Sequence, residues 1–317
     1  MAVGIPTPPS VAPDDVSSRR SRTRRHRLDA LRSWTFLAPA LALIIAFFLV
    51  PLGLVIFMSG SDWSLFRGFS ATNFPQNFVD VFNDPTFASS IVFTLKYTVL
   101  TTVILMPVAF FLSLLVQEAR TWNKFLRTAI LLPSALGIAS SSLLFYALYS
   151  PQVGPLNAVF ERLGLLSLGE SILGTPNGAL WATVILVVWR FTGYYMLLTL
   201  IGVQAIPSEL YEAASIDGAG RFTQLRKITL PLLKPTLAMT MILSVTGSLL
   251  AFDQFFILTR GGPNGSTMTV VLLIYNYAFE TRRDLGLAAA LSVIVLIALV
   301  LINIIQLRAL GVGKKEK

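Results

Sequence analysis

Two charged side chains stand inside otherwise apolar runs of this 317-residue sequence. Arg190 lies about ten residues into one run, and Asp253 lies near the end of the next. A charge in hydrocarbon costs at least ~2.5 kcal/mol, so an ionisable group there is a candidate functional group. The residues that flank the two charges are aromatic or carry an amide: Trp189, Tyr194, Phe252 and Gln254. Rings cover the C–H faces of a sugar and polar groups meet its hydroxyls, so these residues form a candidate substrate path.

The same residues have plainer interpretations. Asp253 is the only acidic residue deep in any apolar run, so a structural ion pair with Arg190 is the natural alternative, and we expect the two charges to lie close together. The aromatic residues can instead face neighbouring helices or lipid. Small residues recur on one stripe of the run that contains Asp253, which favours close helix packing; they are Thr240, Ser244, Gly247 and Ala251.

Catalytic chemistry has few candidates in this chain. The sequence has no Cys, and its one His, His26, lies in a basic arm, so thiolate metal sites are excluded and His-based catalysis is disfavoured. Lys96 has no evident partner nucleophile. The glycine-rich run 260–265 lacks the GxxxxGK[ST] pattern of a phosphate-binding loop. We therefore expect no enzyme active site, no ATP site and no metal or cofactor of the chain's own.

Composition indicates a membrane protein. Hydrophobic residues make up 54% of the chain and charged residues 13%, whereas soluble domains contain about 25% charged residues. The apolar residues form blocks long enough to cross a bilayer as helices. We predict an all-α polytopic membrane protein with a disordered basic arm (1–33), a six-helix transmembrane domain (34–308) and a tail (309–317). The predicted spans are 34–58, 90–117, 128–149, 179–203, 236–258 and 287–307.

The basic residues predict the orientation of these spans. Eighteen of the 25 Lys and Arg residues lie in the arm, in two alternate loops and in the tail, and five lie in the loops on the other side. This is the positive-inside pattern, so we expect both termini to be cytoplasmic and the loops 59–88, 150–178 and 259–284 to be external. The net charge of +9 therefore reflects topology and not nucleic-acid binding.

A polar interval at 204–235, between the fourth and fifth runs, carries helical spacing of its own. A helix start follows Pro207, and Asp217–Gly218 is a helix break, since glycine turns a chain at low steric cost. A second short apolar face follows and is expected to end at Pro231 and Pro235. The pattern predicts two short amphipathic helices that meet at a corner on the cytoplasmic side.

Seven residues of this interval resemble the EAA---G---------I-LP signature of binding-protein-dependent ABC importer permeases: Glu212, Ala213, Ala214, Gly218, Ile228, Leu230 and Pro231. Segments such as SPQVGPLN and FDQFFILTRGGP are similar to the carbohydrate branch, of the maltose and glycerol-phosphate type. In this family the interval is a loop that docks on an ATPase subunit. The resemblance implies that the ATPase-coupling residues are Glu212, Ala213, Ala214, Asp217, Gly218 and Phe222.

The resemblance also implies the type I importer permease fold and a non-catalytic, multi-pass subunit in a bacterial inner membrane. Its implied partners are a second permease, expected to be a distinct chain, an ABC ATPase dimer that binds ATP and Mg²⁺, and an external solute-binding protein that delivers a sugar, oligosaccharide or polyol phosphate. The basic arm has no counterpart in the family core. An ion-coupled secondary transporter is the alternative, although such carriers carry acidic residues along their spans and this chain has Asp253 alone.

Overall fold

The computed structural model describes residues 37–118, 120–167 and 169–309. The predicted arm lies outside this part of the chain, as does the predicted tail from residue 310. The described residues fall into two units, with the boundary between Phe57 and Met58. The helices are, in chain order, α1 (Leu37–Ser59), α2 (Gln76–Asn83), α3 (Pro85–Leu115), α4 (Thr121–Leu131), α5 (Ile138–Leu148), α6 (Pro155–Arg162), α7 (Pro176–Gln204), α8 (Ser208–Ile216), α9 (Arg221–Gln224), α10 (Leu230–Leu249), α11 (Asp253–Leu258), α12 (Val270–Glu280) and α13 (Leu285–Ala309).

The all-α membrane fold is confirmed. Within the described residues, five helical stretches are long and apolar enough to cross a bilayer: α1, α3, α7, the stretch Arg221–Leu258 that contains α9 to α11, and α13. The third predicted span, 128–149, is not one straight helix. It consists of α4 with a following 3-10 turn, Leu132–Ala135, and of α5, bent by 92° from each other. Pro133 and Gly137 stand at the bend, where neither favours a continuous helix.

Prolines shape two of the long helices without ending them. In α1 a π turn, Ile45–Leu49, precedes Pro51, whose ring lacks an N–H and crowds the carbonyl four residues earlier. A second π turn, Leu225–Thr229, precedes Pro231. The expectation that the second short helix ends at Pro231 is therefore wrong, because the π turn accommodates the proline and the helix continues into α10.

The predicted fifth span, 236–258, is also interrupted. α10 ends at Leu249, and α11 begins at Asp253 after a non-helical step whose last residue, Phe252, has φ −131° and ψ −65°. The broken backbone at this depth is covered by protein: Ala251 is buried, and its carbonyl accepts a hydrogen bond from Thr269 Oγ1 (2.8 Å). Irregular backbone inside a membrane is tolerated where protein or a cavity surrounds it.

The centre of the 58–317 unit is built by α3, α7 and α10, which pack against one another. Leu105 of α3 and Met196 and Leu200 of α7 are buried in this contact. The hydroxyls of Thr102 and Ser244 lie 3.4 Å apart and join α3 to α10. Small and hydroxyl side chains let membrane helices approach closely, so this contact follows from residue types that the sequence shows.

A small cap lies where α3 and α13 begin, in the predicted external loops. It contains a two-stranded antiparallel hairpin, β1 (Ser61–Ser64) with β2 (Gly68–Thr72), followed by α2, and it also contains α12. From the sequence, 59–88 and 259–284 were predicted only as external loops. The hairpin is anchored to the start of α13 through the Leu65 N–H, which donates to the Arg283 carbonyl (2.9 Å).

Asp84 forms hydrogen bonds that connect the elements of this cap. Its carboxylate accepts hydrogen bonds from the Tyr277 hydroxyl (2.7 Å), the Arg282 guanidinium (3.0 Å) and the Thr86 N–H (2.8 Å). Burial alone would raise the pKa of the Asp84 carboxyl, but the hydrogen bonds and the positive charge of Arg282 outweigh it and hold that pKa below its ordinary value. Asp84 is therefore ionised near neutral pH and fixes α12 against the start of α3.

Candidate functional site

The interval between α7 and α10 forms a corner of two short helices, α8 and α9, and we call residues 208–224 the corner segment. Gly218 has a φ of 77°, a left-handed backbone that glycine adopts without the Cβ penalty of other residues. Just after it, the Ala219 N–H donates to the Ala214 carbonyl (2.8 Å) and closes the end of α8. The predicted helix break therefore lies at the predicted residue.

Side-chain hydrogen bonds hold the two arms of the corner segment together. Gln224 Nε2 donates to Ser215 Oγ (2.9 Å) and to the Ala219 carbonyl (3.1 Å), which joins α9 to α8. The hydroxyls of Tyr211 and Thr229 lie 3.0 Å apart and join α8 to the π turn before α10. These residues were not identified from the sequence, because the angle of the corner decides which side chains meet.

The corner segment exposes apolar side chains. Ile216 is 87% exposed and Phe222 is 75% exposed, in the polar interval between the apolar helices α7 and α10. Large apolar residues exposed on a segment that hydrogen bonds hold in place are typical of an interaction site. The predicted ATPase-coupling residues all lie here: Glu212, Ala213, Asp217, Gly218 and Phe222 are exposed, and Ala214 is half-buried. Their role in coupling stays a prediction.

A cavity of about 160 Å³ lies between α3, α7 and the break that separates α10 from α11. Its aromatic lining residues are Tyr97, Phe191, Tyr195 and Phe252, and its polar lining residues are Thr101, Ser244, Ser248, Asp253 and Gln254. Gln254 is buried, and its Nε2 donates to the Tyr97 hydroxyl (3.2 Å). Aromatic faces combined with hydroxyl, amide and carboxylate groups suit a polyhydroxylated solute.

The cavity contains three of the six residues predicted for the substrate path: Phe252, Asp253 and Gln254. The sequence analysis assigned Ser244, Gly247 and Ala251 to helix packing, but all three line the cavity. Their small side chains leave the space that the cavity fills. In the sequence, the signal for this cavity was therefore the stripe of small residues that precedes the helix break.

The other three predicted residues, Trp189, Arg190 and Tyr194, do not line the cavity. Trp189 and Tyr194 are 37% and 42% exposed on the surface of α7. The expected ion pair between Arg190 and Asp253 is wrong, since neither residue takes part in the ion pairs that the described residues form. The Arg190 guanidinium lies 4.2 Å from the centre of the Phe191 ring, so Phe191 lines the cavity and Arg190 packs on this ring without lining the cavity itself.

Comparison with known proteins identifies the chain. Residues 17–309 match the family described as "Binding-protein-dependent transport system inner membrane component". The chain belongs to this family. It is 33% identical over 287 residues to the multiple sugar-binding transport system permease protein MsmF of Streptococcus mutans, and the match covers 90% of this chain and 97% of that protein. It is 32% identical over 297 residues to the lactose transport system permease protein LacF of Rhizobium radiobacter, with 91% and 97% covered.

A solved structure confirms the fold of this permease. The crystal structure of a bacterial ABC transporter that imports the acidic polysaccharide alginate matches with a TM-score of 0.78 at 22% identity, and the match covers 92% of this chain and 100% of that one. This match confirms the predicted type I importer fold. The relatives named for sugars confirm the predicted resemblance to the carbohydrate branch. The permease is a multi-pass membrane protein, and its relatives are transport subunits.

Proposed function

We propose that this permease forms half of the translocation path of an ATP-driven importer for a sugar, oligosaccharide or sugar or polyol phosphate. An external solute-binding protein delivers the solute. A second permease, encoded as a distinct chain, forms the other half of the path, and a separate ATPase dimer binds ATP and Mg²⁺. The observation that carries the proposal is the corner segment, which presents exposed apolar side chains on a hydrogen-bonded support.

The corner segment suits a docking contact with the ATPase. Ile216 and Phe222 supply apolar anchors, and Glu212 adds an exposed charge beside them. Exposed anchors that are held in one geometry lose little conformational entropy when a partner binds. The bonds from Gln224 to α8 then transmit movement of the docked ATPase to the helix that begins at α9 and runs on into α10.

The cavity supplies this chain's half of the solute path. It lies where α10 breaks, and helix breaks near the middle of a membrane are where transporters bind their solutes. Phe252 offers a ring face, and Asp253 and Gln254 offer groups that bind hydroxyls. The relatives named for sugars support a carbohydrate as the solute.

The positive-inside bias supports an orientation in which the corner segment and both termini are cytoplasmic. The cap built by the hairpin, α2 and α12 is then external. In that position it can receive a solute-binding protein, and a solved alginate transporter of the same fold was crystallised in complex with a substrate-bound periplasmic protein.

Affinity purification through a tag on this chain tests the proposal. Solubilised wild-type membranes should give a complex with an ABC ATPase and a second permease. Phe222→Ser should release the ATPase because it removes an anchor. The matched control is Val153→Ser at the opposite end of the bundle, since Val153 is 83% exposed and should not contact the ATPase. A wild-type chain that purifies alone and transports with a proton or sodium gradient would instead identify an ion-coupled carrier.

A further inference from the structure

Arg190 places a positive charge at the centre of a membrane-spanning helix. It lies fourteen residues from each end of the 29-residue helix α7. At 1.5 Å per residue this is about 21 Å from either end, too far for the side chain to reach water along the helix. An ionisable group at this depth requires a compensating partner, because hydrocarbon does not solvate its charge.

The described part of the chain does not provide that partner. The two ion pairs that it contains join Arg120 to Glu118 and Arg282 to Asp84. Arg190 Nε is buried and has no hydrogen-bond acceptor, and the guanidinium lies 4.2 Å from the centre of the Phe191 ring. An aromatic face attracts a cation but does not satisfy its N–H donors.

The bend between α4 and α5 packs on the same part of α7 without reaching the charge. Ser134 Oγ donates to the backbone carbonyl of Arg190 (2.6 Å) and accepts from the Tyr194 N–H (3.1 Å). The Ser134 hydroxyl is therefore used by the backbone of α7. It fixes the position of α7 at this level and leaves the guanidinium without an acceptor.

The surface around Arg190 has the composition of an interface. Trp189 and Tyr194 are partly exposed beside it on α7. Aromatic residues and arginine are enriched at the buried centres of protein interfaces, where they supply most of the affinity. A lipid-facing surface would not place an unpaired guanidinium among these rings, since acyl chains offer no acceptor.

We infer that the second permease subunit places a carboxylate against Arg190, so that a buried intersubunit ion pair joins the two halves of the importer. The inference rests on the proposed function, which requires a second permease. Arg190 is not among the residues that line the cavity, and Trp189 and Tyr194 beside it are partly exposed, which favours a contact with a neighbouring subunit over a contact with the solute. A guanidinium and a carboxylate form two parallel hydrogen bonds, and such a pair would compensate the charge of Arg190 within the bilayer.

Copurification of the second permease with tagged Arg190→Gln tests this inference. Glutamine keeps hydrogen-bond donors but removes the charge, so the amount of second permease that stays bound after detergent extraction should fall about tenfold or more. Arg190→Lys should retain part of it. The matched control is Arg162→Gln, which removes an exposed charge on α6 and should leave the complex intact.

A charge swap decides the outcome if Arg190→Gln is poorly folded, as judged by size-exclusion profiles. Arg190→Glu combined with an Asp or Glu to Arg exchange in a span of the second permease should restore the complex. Failure of every such exchange would overturn the inference, as would normal retention of the second permease by Arg190→Gln. Normal retention with loss of solute uptake would instead assign Arg190 to the solute. If the wild-type chain copurifies with no second permease, the proposed function fails first.

Discussion

Gly218 allows the shape of the corner segment to be changed without removing any contact. Its φ is 77°, and a Cβ built at this position meets nothing within 4 Å. Valine would therefore add backbone strain and no clash. A non-glycine residue in the left-handed region costs roughly 1–3 kcal/mol, and a β-branched residue lies toward the upper end. Such a penalty lowers the equilibrium ratio of the native to the distorted corner by roughly 5- to 150-fold.

Two matched variants distinguish the effect of backbone strain from the effect of side-chain volume. Gly220 lies two residues away and has equal space around its Cβ position, but its φ of −69° is one that any L residue adopts. Gly220→Val therefore adds the same side chain without the strain. Gly218→Asn adds a side chain at the same position, but asparagine tolerates the left-handed region better than valine does.

The assay is a titration of the copurified ATPase subunit onto the permease in lipid nanodiscs. Gly218→Val should weaken binding by a factor within the range given above, while Gly220→Val and Gly218→Asn should bind as the wild type does. Normal binding by Gly218→Val would show that the corner does not need its native shape. Equal loss in Gly220→Val would show that bulk, and not backbone strain, disrupts the contact.

Three other predictions concern the cap, the cavity and the orientation. Asp84→Asn should lower the melting temperature at pH 7, and the wild type should keep this stabilisation at neutral pH and lose it only below about pH 4, as the pH falls through the lowered pKa of the carboxyl. Tyr97→Phe should lower the free energy of unfolding by about 1–3 kcal/mol because it leaves the buried Gln254 amide without its acceptor. Adding Gln254→Leu should cost less than the sum of the two single changes. Val153→Cys should react with an impermeant maleimide in intact cells, whereas Thr223→Cys should react only after permeabilisation.

Each of these predictions has an opposite outcome that can be observed. An unchanged melting temperature for Asp84→Asn at pH 7 would mean that the bonds from Tyr277 and Arg282 do not stabilise the cap. Strict additivity at Tyr97 and Gln254 would mean that their hydrogen bond contributes nothing. Labelling of Thr223→Cys but not of Val153→Cys in intact cells would invert the orientation and remove the basis for import.

Much of the fold could be predicted because apolar length is a local property of the sequence. The spans and the corner segment follow from runs of residues and from the helix break at Gly218. The bend near Pro133 and the break before Asp253 were missed because hydropathy averages over them. Tertiary contacts stabilise the breaks. One is the hydrogen bond from Thr269 to the carbonyl of Ala251, which lies eighteen residues earlier.

The candidate site was only partly predictable for a related reason. Residue types pointed to Phe252, Asp253 and Gln254, and these three line the cavity. The pairing of Arg190 with Asp253 was inferred from depth along two helices. Depth leaves the rotation of each helix about its axis undetermined, and in the structure Asp253 lines the cavity whereas Arg190 does not. Tyr97 was missed because it meets Gln254 across 157 positions of sequence.

The energy source of uptake tests the central claim most directly. The complex purified through this chain should be reconstituted into proteoliposomes with a solute-binding protein outside and ATP inside, and uptake of radiolabelled sugar should be measured. We predict uptake that requires ATP and the binding protein, persists when proton and sodium gradients are collapsed, and is lost in Gly218→Val but kept in Gly220→Val. Uptake that needs no ATP and stops when an ion gradient is collapsed would contradict the account.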